Sequence, residues 1–174
     1  KIEGSVVIPT GNGSAEITAL LGSLKTSSKV TVSGFEVPRP VSFQNETLAA
    51  LTKSGCNMGA CHGSPSGKGG FRLSLRGYDP PLDINTLRTE AFGRRTNVMN
   101  PDESLILKKP LMEVAHGGGR KLREGDASHR ALKQWIAEGL SLDAPDVATL
   151  EKIEVFPRQR VLHQPAADQQ IFVR

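Results

Sequence analysis

Aromatic residues are scarce in this 174-residue chain: one Trp, one Tyr and six Phe, 5% of the total. That supply is too small for a nucleic-acid interface built on interleaved stacking rings. Apolar residues reach only 37%, a thin stock for one core serving the whole length. A bound apolar cofactor, or a division into small modules, would relieve the shortage. No apolar run approaches the ~18–20 residues of a membrane helix, and no signal peptide is present. The chain opens and closes inside strand-like patterns and reads as a piece cut from a longer protein, so the missing signal excludes no destination. An acidic excess is lacking too: the net charge is +4 and the pI about 9.3. Lys and Arg are spread along the chain, apart from Arg94/Arg95 and Arg120/Lys121/Arg123. Such a surface suits acidic partners or anionic envelope polymers, and no nucleic-acid partner is expected.

Glycine and proline are plentiful instead, 18 and 11 residues, and they punctuate the chain. Residues 1–37 read as the end of a β, immunoglobulin-like module. "AEITALL" puts Ala15, Ile17 and Ala19 on one face, "KVTVSG" does the same with Val30 and Val32, and "GNGS" and "KTSS" are the turns. "EVPRPVSF" is an extended linker. From about residue 44 the pattern is helical. "NETLAALTKSG" offers Asn45 as N-cap and Gly55 as stop. "FRLSLRG" alternates as a short strand, and "PPLDINTLRTEAFG" follows as a helix with Leu87 and Ala91 inward. "NPDESLILKKP" starts a helix at Asn100–Pro101 that Pro110 ends. "GDASHRALKQWIAEGL" is the last helix, capped by Asp126, with Leu132, Trp135, Ile136 and Gly139 on one face. "KIEVFP" and "QQIFVR" open a further β module over residues 146–174. The expected fold class is therefore mainly α over residues 38–145, with a short strand, flanked by partial β segments.

Both cysteines lie in "SGCNMGACHGS". C-x-x-C-H is the signature of covalent haem attachment. Here four residues separate the cysteines, but the Cys61–His62 step is intact. That step sets the imidazole of a proximal ligand relative to one thioether, whereas extra residues between the thiols can loop out, and "NMGA" is small enough to do so. Cys56 and Cys61 are thus candidates for covalent attachment of one haem, and His62 for the iron. Three other readings stand beside this one. The cysteines can form a disulfide, favoured outside the cytoplasm, in a structural or adhesive module. Cys56, Cys61, His62 and His116 can form a zinc site, although adjacent ligands suit it poorly. A lone nucleophilic cysteine is the fourth, with no partner arrangement to mark it.

If haem is present, a second axial ligand is needed or the site stays open. His116 heads "HGGGRKL", ahead of the last helix, where three glycines let backbone pass close to a flat cofactor. It is the first choice. Met112, in "PLMEV", is the alternative, and Met99 is rather a core filler. His129 reads as a helix-surface residue and His163 as an exposed turn residue. His/Met ligation raises a haem potential, so His/His ligation leaves it lower. An open sixth position would suit a sensor or peroxidase-like domain. Arg94, Arg95 and Arg120 are candidate contacts to haem propionates, and Tyr78 and Trp135 read as ordinary core.

The helix before the motif, the Trp-bearing last helix and the short helices between resemble a class I cytochrome c layout. More specifically, "LTKSGCNMGACHGSPSGKGGFRLSLRGYDP", followed by "GRR…NPDESLILKKP…HGGGRKL…LKQWIAEG", resembles a family of large planctomycete cell-surface or periplasmic proteins. These combine a cytochrome-c-like domain with bacterial immunoglobulin-like repeats. The likeness covers about residues 40–140. It implies an extracytoplasmic electron-transfer module rather than an enzyme, with one haem c at Cys56, Cys61 and His62, and His116 as the matching loop histidine. The long cysteine spacing and the lack of an "MP" pair before the last helix depart from the usual cytochrome pattern. The missing "MP" pair puts a methionine ligand in doubt.

Overall fold

A computed structural model describes residues 1–4, 6–37, 39–162 and 168–174. His163 lies outside the described residues. Contacts divide the chain into Lys1–Ser141 and Leu142–Arg174.

Two hairpins open the first unit. β1 (Ile2–Glu3) pairs with β2 (Val6–Val7), and β3 (Gly13–Leu21) pairs antiparallel with β4 (Leu24–Val32). The second hairpin turns at Gly22, whose φ of +59° suits glycine. "KTSS", expected to be a turn, lies inside β4, with Lys25 opposite Leu20 and Ser28 opposite Ile17. Only Ile17, Val30 and Val32 are even half-buried in this ladder.

The core begins at the linker. Ser42, not Asn45, is the first cap: its hydroxyl accepts from the Asn45 N–H, while the Glu46 carboxylate accepts from the Ser42 N–H. This reciprocal pair starts a π-helical turn, Phe43–Thr47, that runs into α1 (Leu48–Lys53). α1 ends as its sequence predicts. Gly55 takes φ +76°, its N–H reaches Thr52 O, and the Cys56 N–H reaches Leu51 O. That double closure is a Schellman motif.

α2 (Pro80–Arg88) is capped by the Asp79 side chain, which accepts from Leu82 N–H. It stops before Ala91, which is exposed with φ +51° rather than packed inward. Among the described residues the alternation of "FRLSLRG" finds no partner strand. An isolated bridge forms from Lys68 to Phe71, and of the three apolar residues only Leu73 is fully buried. A 3-10 turn over Pro101–Glu103 follows Asn100, and Ser104 breaks the chain before α3 (Leu105–Leu111). α4 (Ala127–Ala137) has the expected Asp126 cap, 2.7 Å from the His129 N–H, and a second Schellman closure at Gly139.

α1 packs on α4. The Phe43 and Trp135 rings meet at 5.1 Å, and the Glu138 carboxylate takes the Val41 N–H at 2.7 Å. Leu51, Leu87, Leu107, Leu132, Trp135 and Ile136 are among the side chains sealed in one cluster. Asp83, also buried, accepts from the N–H and hydroxyl of Ser74 and so ties α2 to the segment after Phe71.

In the second unit β5 (Val155–Phe156) pairs with β6 (Phe172–Val173). Arg158 and Arg174 lie over the Phe156 ring and both pair with Glu154.

The expectation of a mainly α, cytochrome-c-like fold is not met. The described residues are 29% helix and 16% strand, a small mixed α/β arrangement. Glycine and proline cut the helical stretches short, and only α4 reaches 11 residues. Among the described residues no helix is long and apolar enough to cross a membrane.

Candidate functional site

The Schellman closure of α1 delivers Cys56 directly into a coiled loop. The Cys56 carbonyl accepts the His62 N–H at 3.0 Å, and Met58 O accepts both Cys61 N–H and Gly63 N–H. The four spacer residues are therefore wound into a hydrogen-bonded turn. Asn57, fully buried, pins it: its carbonyl takes Arg76 N–H and its amide donates to the Thr52 hydroxyl. Gly63 is obligatory, because a Cβ there would lie 2.1 Å from Asn57 O. Sequence reasoning missed both residues, although a glycine straight after Cys-His was a visible signal.

The two thiols are unbonded. Cys56 is buried, and burial, reinforced by its neighbour Cys61 and only partly offset by Lys121, pushes its pKa up to about 11. Such a thiol stays protonated at neutral pH and is a poor nucleophile. Among the described residues no three His, Cys, Asp or Glu side chains converge as a metal-binding group, which leaves the four-ligand zinc arrangement without support.

His62 is held at both backbone and ring. Its carbonyl accepts the Leu73 N–H at 2.7 Å, its Nδ1 lies 3.0 Å from Phe71 O, and its ring packs on the Phe71 ring at 4.4 Å. A carbonyl only accepts, so Nδ1 carries the proton and Nε2 keeps the lone pair. Burial lowers the His62 pKa; the Phe71 and Lys68 carbonyls oppose this, while His116 and Arg95 add to it.

His116 mirrors this arrangement. Its Nδ1 is 2.8 Å from Gly119 O, so it too keeps the lone pair on Nε2. Its ring lies against Gly118, where a Cβ would press within 3.0 Å of it. The loop is anchored by Lys121 and Leu122, whose N–H groups both reach Pro110 O, with Leu122 sealed in the core.

The two imidazoles stand together, centroids 6.4 Å apart and planes within 14° of parallel. Metal-bound histidines commonly donate their other ring N–H to a backbone carbonyl, as both do here. His62 and His116 are the residues that would hold an iron here, their rings stacked and each with its Nδ1 on a backbone carbonyl.

The remaining candidates lie differently. Met112 is the left-handed cap of α3, with φ +67°, and is 45% exposed; Met99 is 91% exposed. Arg94 and Arg120 are on the surface. Arg95 is not: its guanidinium is buried and donates to Gly70 O, Thr86 O and Glu90 O, which commits it inside the protein rather than to a propionate. His129 is core, not surface, and its Nδ1 accepts the Gly125 N–H. Trp135 is core as expected, but Tyr78 is 90% exposed. A surface depression of about 520 Å³ along α1, between Gln44 and Pro80, is lined by neither histidine nor cysteine.

No family model, curated protein or solved structure matches the chain. The likeness to the planctomycete proteins therefore rests on the quoted strings alone.

Proposed function

We propose that this chain is an extracytoplasmic electron-transfer module carrying one covalent haem c, with Cys56 and Cys61 as attachment points and His62 and His116 as axial ligands. The observation that carries the reading is the imidazole pair, parallel within 14° and 6.4 Å apart, each ring with its Nδ1 on a backbone carbonyl. Haem supplies one-electron redox chemistry when bound. The chain's residues supply the rest. The lowered pKa of His62 keeps its ring neutral, the form a metal takes. The two Nδ1 hydrogen bonds fix both tautomers and make both rings more basic, which favours the ferric state and a low potential.

If both histidines held the iron, no ligand position would be left for a substrate, which favours a carrier over an enzyme. The net charge of +4 favours a redox partner with an acidic docking face. Thioether attachment takes place outside the cytoplasm, hence a periplasmic or cell-surface location. The same strings support placing the chain in the planctomycete family of cell-surface proteins.

The test is production with cytochrome c maturation machinery, followed by intact mass and a visible spectrum. A mass raised by one haem and a low-spin Soret spectrum are expected. The mass of the bare chain would overturn the proposal, and a mass two hydrogens lower would identify a disulfide-held module instead. His116→Met is expected to shift the spectrum and raise the potential. Carbon monoxide binding to the reduced protein without loss of a ligand would mark an open site.

A further inference from the structure

Arg95 is the most heavily engaged side chain near the site, and the electron-transfer reading gives it no role. Its guanidinium is 7% exposed as a residue and reaches three carbonyls from separate stretches of chain: Gly70 O at 2.7 Å, Thr86 O at 3.0 Å and Glu90 O at 3.0 Å. An acidic partner, Glu90, stands at 3.7 Å. Held this way, the guanidinium carbon lies 4.6 Å from the centre of the Phe71 ring. The opposite engagement of Phe71 is with His62: ring on ring at 4.4 Å, and carbonyl to Nδ1 at 3.0 Å. Gly70, one of the three anchors, directly precedes Phe71. The arginine therefore grips Phe71 through its ring and through the peptide before it.

We propose that Arg95 is the positioning residue of His62, clamping Phe71 so that its carbonyl holds the His62 Nδ1–H and keeps the lone pair on Nε2. The inference rests on the reading of His62 as a ligand. A planar fork of donors that also stacks on an aromatic face is specific to arginine. Lysine keeps the charge but offers neither the fork nor the flat face. Arg95→Lys thus separates positioning from charge. Losing a positive charge near an iron would lower its potential. Losing the Nδ1 hydrogen bond makes His62 less basic and raises it.

The experiment measures the His62 tautomer by ¹⁵N NMR in the haem-free protein at pH 8, then the reduction potential of the haem-loaded protein. In the parent chain His62 is expected in the Nδ1–H form. In Arg95→Lys the ratio of Nδ1–H to Nε2–H forms is expected to fall about fivefold, the loss of one ordinary hydrogen bond, while the His116 tautomer is unchanged and the potential rises. A folded Arg95→Lys protein with the parental His62 tautomer overturns the proposal, even if its melting temperature falls, because that is the mark of a purely structural arginine. If Arg95→Lys does not fold, Phe71→Leu decides. It keeps the carbonyl but removes the ring that Arg95 grips, and an unchanged His62 tautomer in it is equally fatal. The tautomer is read without haem, so failure to bind haem would sink the electron-transfer reading and leave this result standing.

Discussion

The hairpin of β3 and β4 and the helical core make opposite use of the backbone. The hairpin has nine paired positions in unbroken register, yet Leu20, Leu21 and Leu24 at its tip are 71%, 78% and 69% exposed. The core has helices of six, nine, seven and eleven residues interrupted by loops, yet it seals Leu51, Leu107 and Trp135 almost completely. Regular hydrogen bonding exchanges bonds with water for bonds within the chain and contributes little net. Burial of apolar surface contributes far more, and a lone two-stranded ribbon is marginal in water. The irregular half is thus the stable half, and it is the half that carries the histidine pair.

The contrast is most exposed at Trp135. Trp135→Ala should cost about 3–5 kcal/mol in denaturant unfolding, the usual loss for a buried aromatic. A loss below about 1 kcal/mol would mean that the cluster is not the seat of stability. Gly63→Ala should cost on the order of 2–3 kcal/mol, since the new Cβ meets backbone that cannot yield. It should also displace His62, which NMR of the ring would report. Neutral behaviour would show the loop to be loose.

The next effect depends on pH. The folded-state pKa of His62 is lowered, so between that value and the unfolded value of about 6.5 the unfolded chain binds more protons. Stability of the haem-free protein should therefore be level above about pH 6.5 and fall as pH drops through the window beneath it. Denaturant midpoints from pH 8 to pH 5 check this, and His62→Gln should flatten that part of the curve. At the small end, Leu21→Ser at the hairpin tip should change stability by no more than about 0.5 kcal/mol. A loss of 2 kcal/mol there would abolish the distinction between the halves.

Local features were legible. The Gly55 and Gly139 stops, the Asp126 cap and the Pro80 start each depend on a few neighbouring residues, and each stands where its chemistry predicts. The first cap was misread because Ser42 and Asn45 are both good caps, and only the Glu46 carboxylate reaching back to Ser42 decides between them. The strand read at Phe71–Leu75 failed because alternation signals a strand only where a second strand exists to pair with it. The fold class failed for a related reason. Helical periodicity was present, but how far each helix runs was set by packing and by the left-handed turns at Ala91 and Met112.

By itself the sequence determined the Cys61–His62 step, the helix stop that presents Cys56, and the glycine-flanked His116 as a candidate ligand, because covalent adjacency and local capping need nothing distant. Tertiary structure alone decided that the His62 and His116 imidazoles stand parallel, that Met112 is a half-exposed left-handed cap, and that Arg95 faces inward to Phe71. Those facts depend on residues far apart in the chain meeting at angstrom tolerances. Such meetings are settled by the packing of Leu122, Leu73 and the helices behind them, and no spacing along the chain records them.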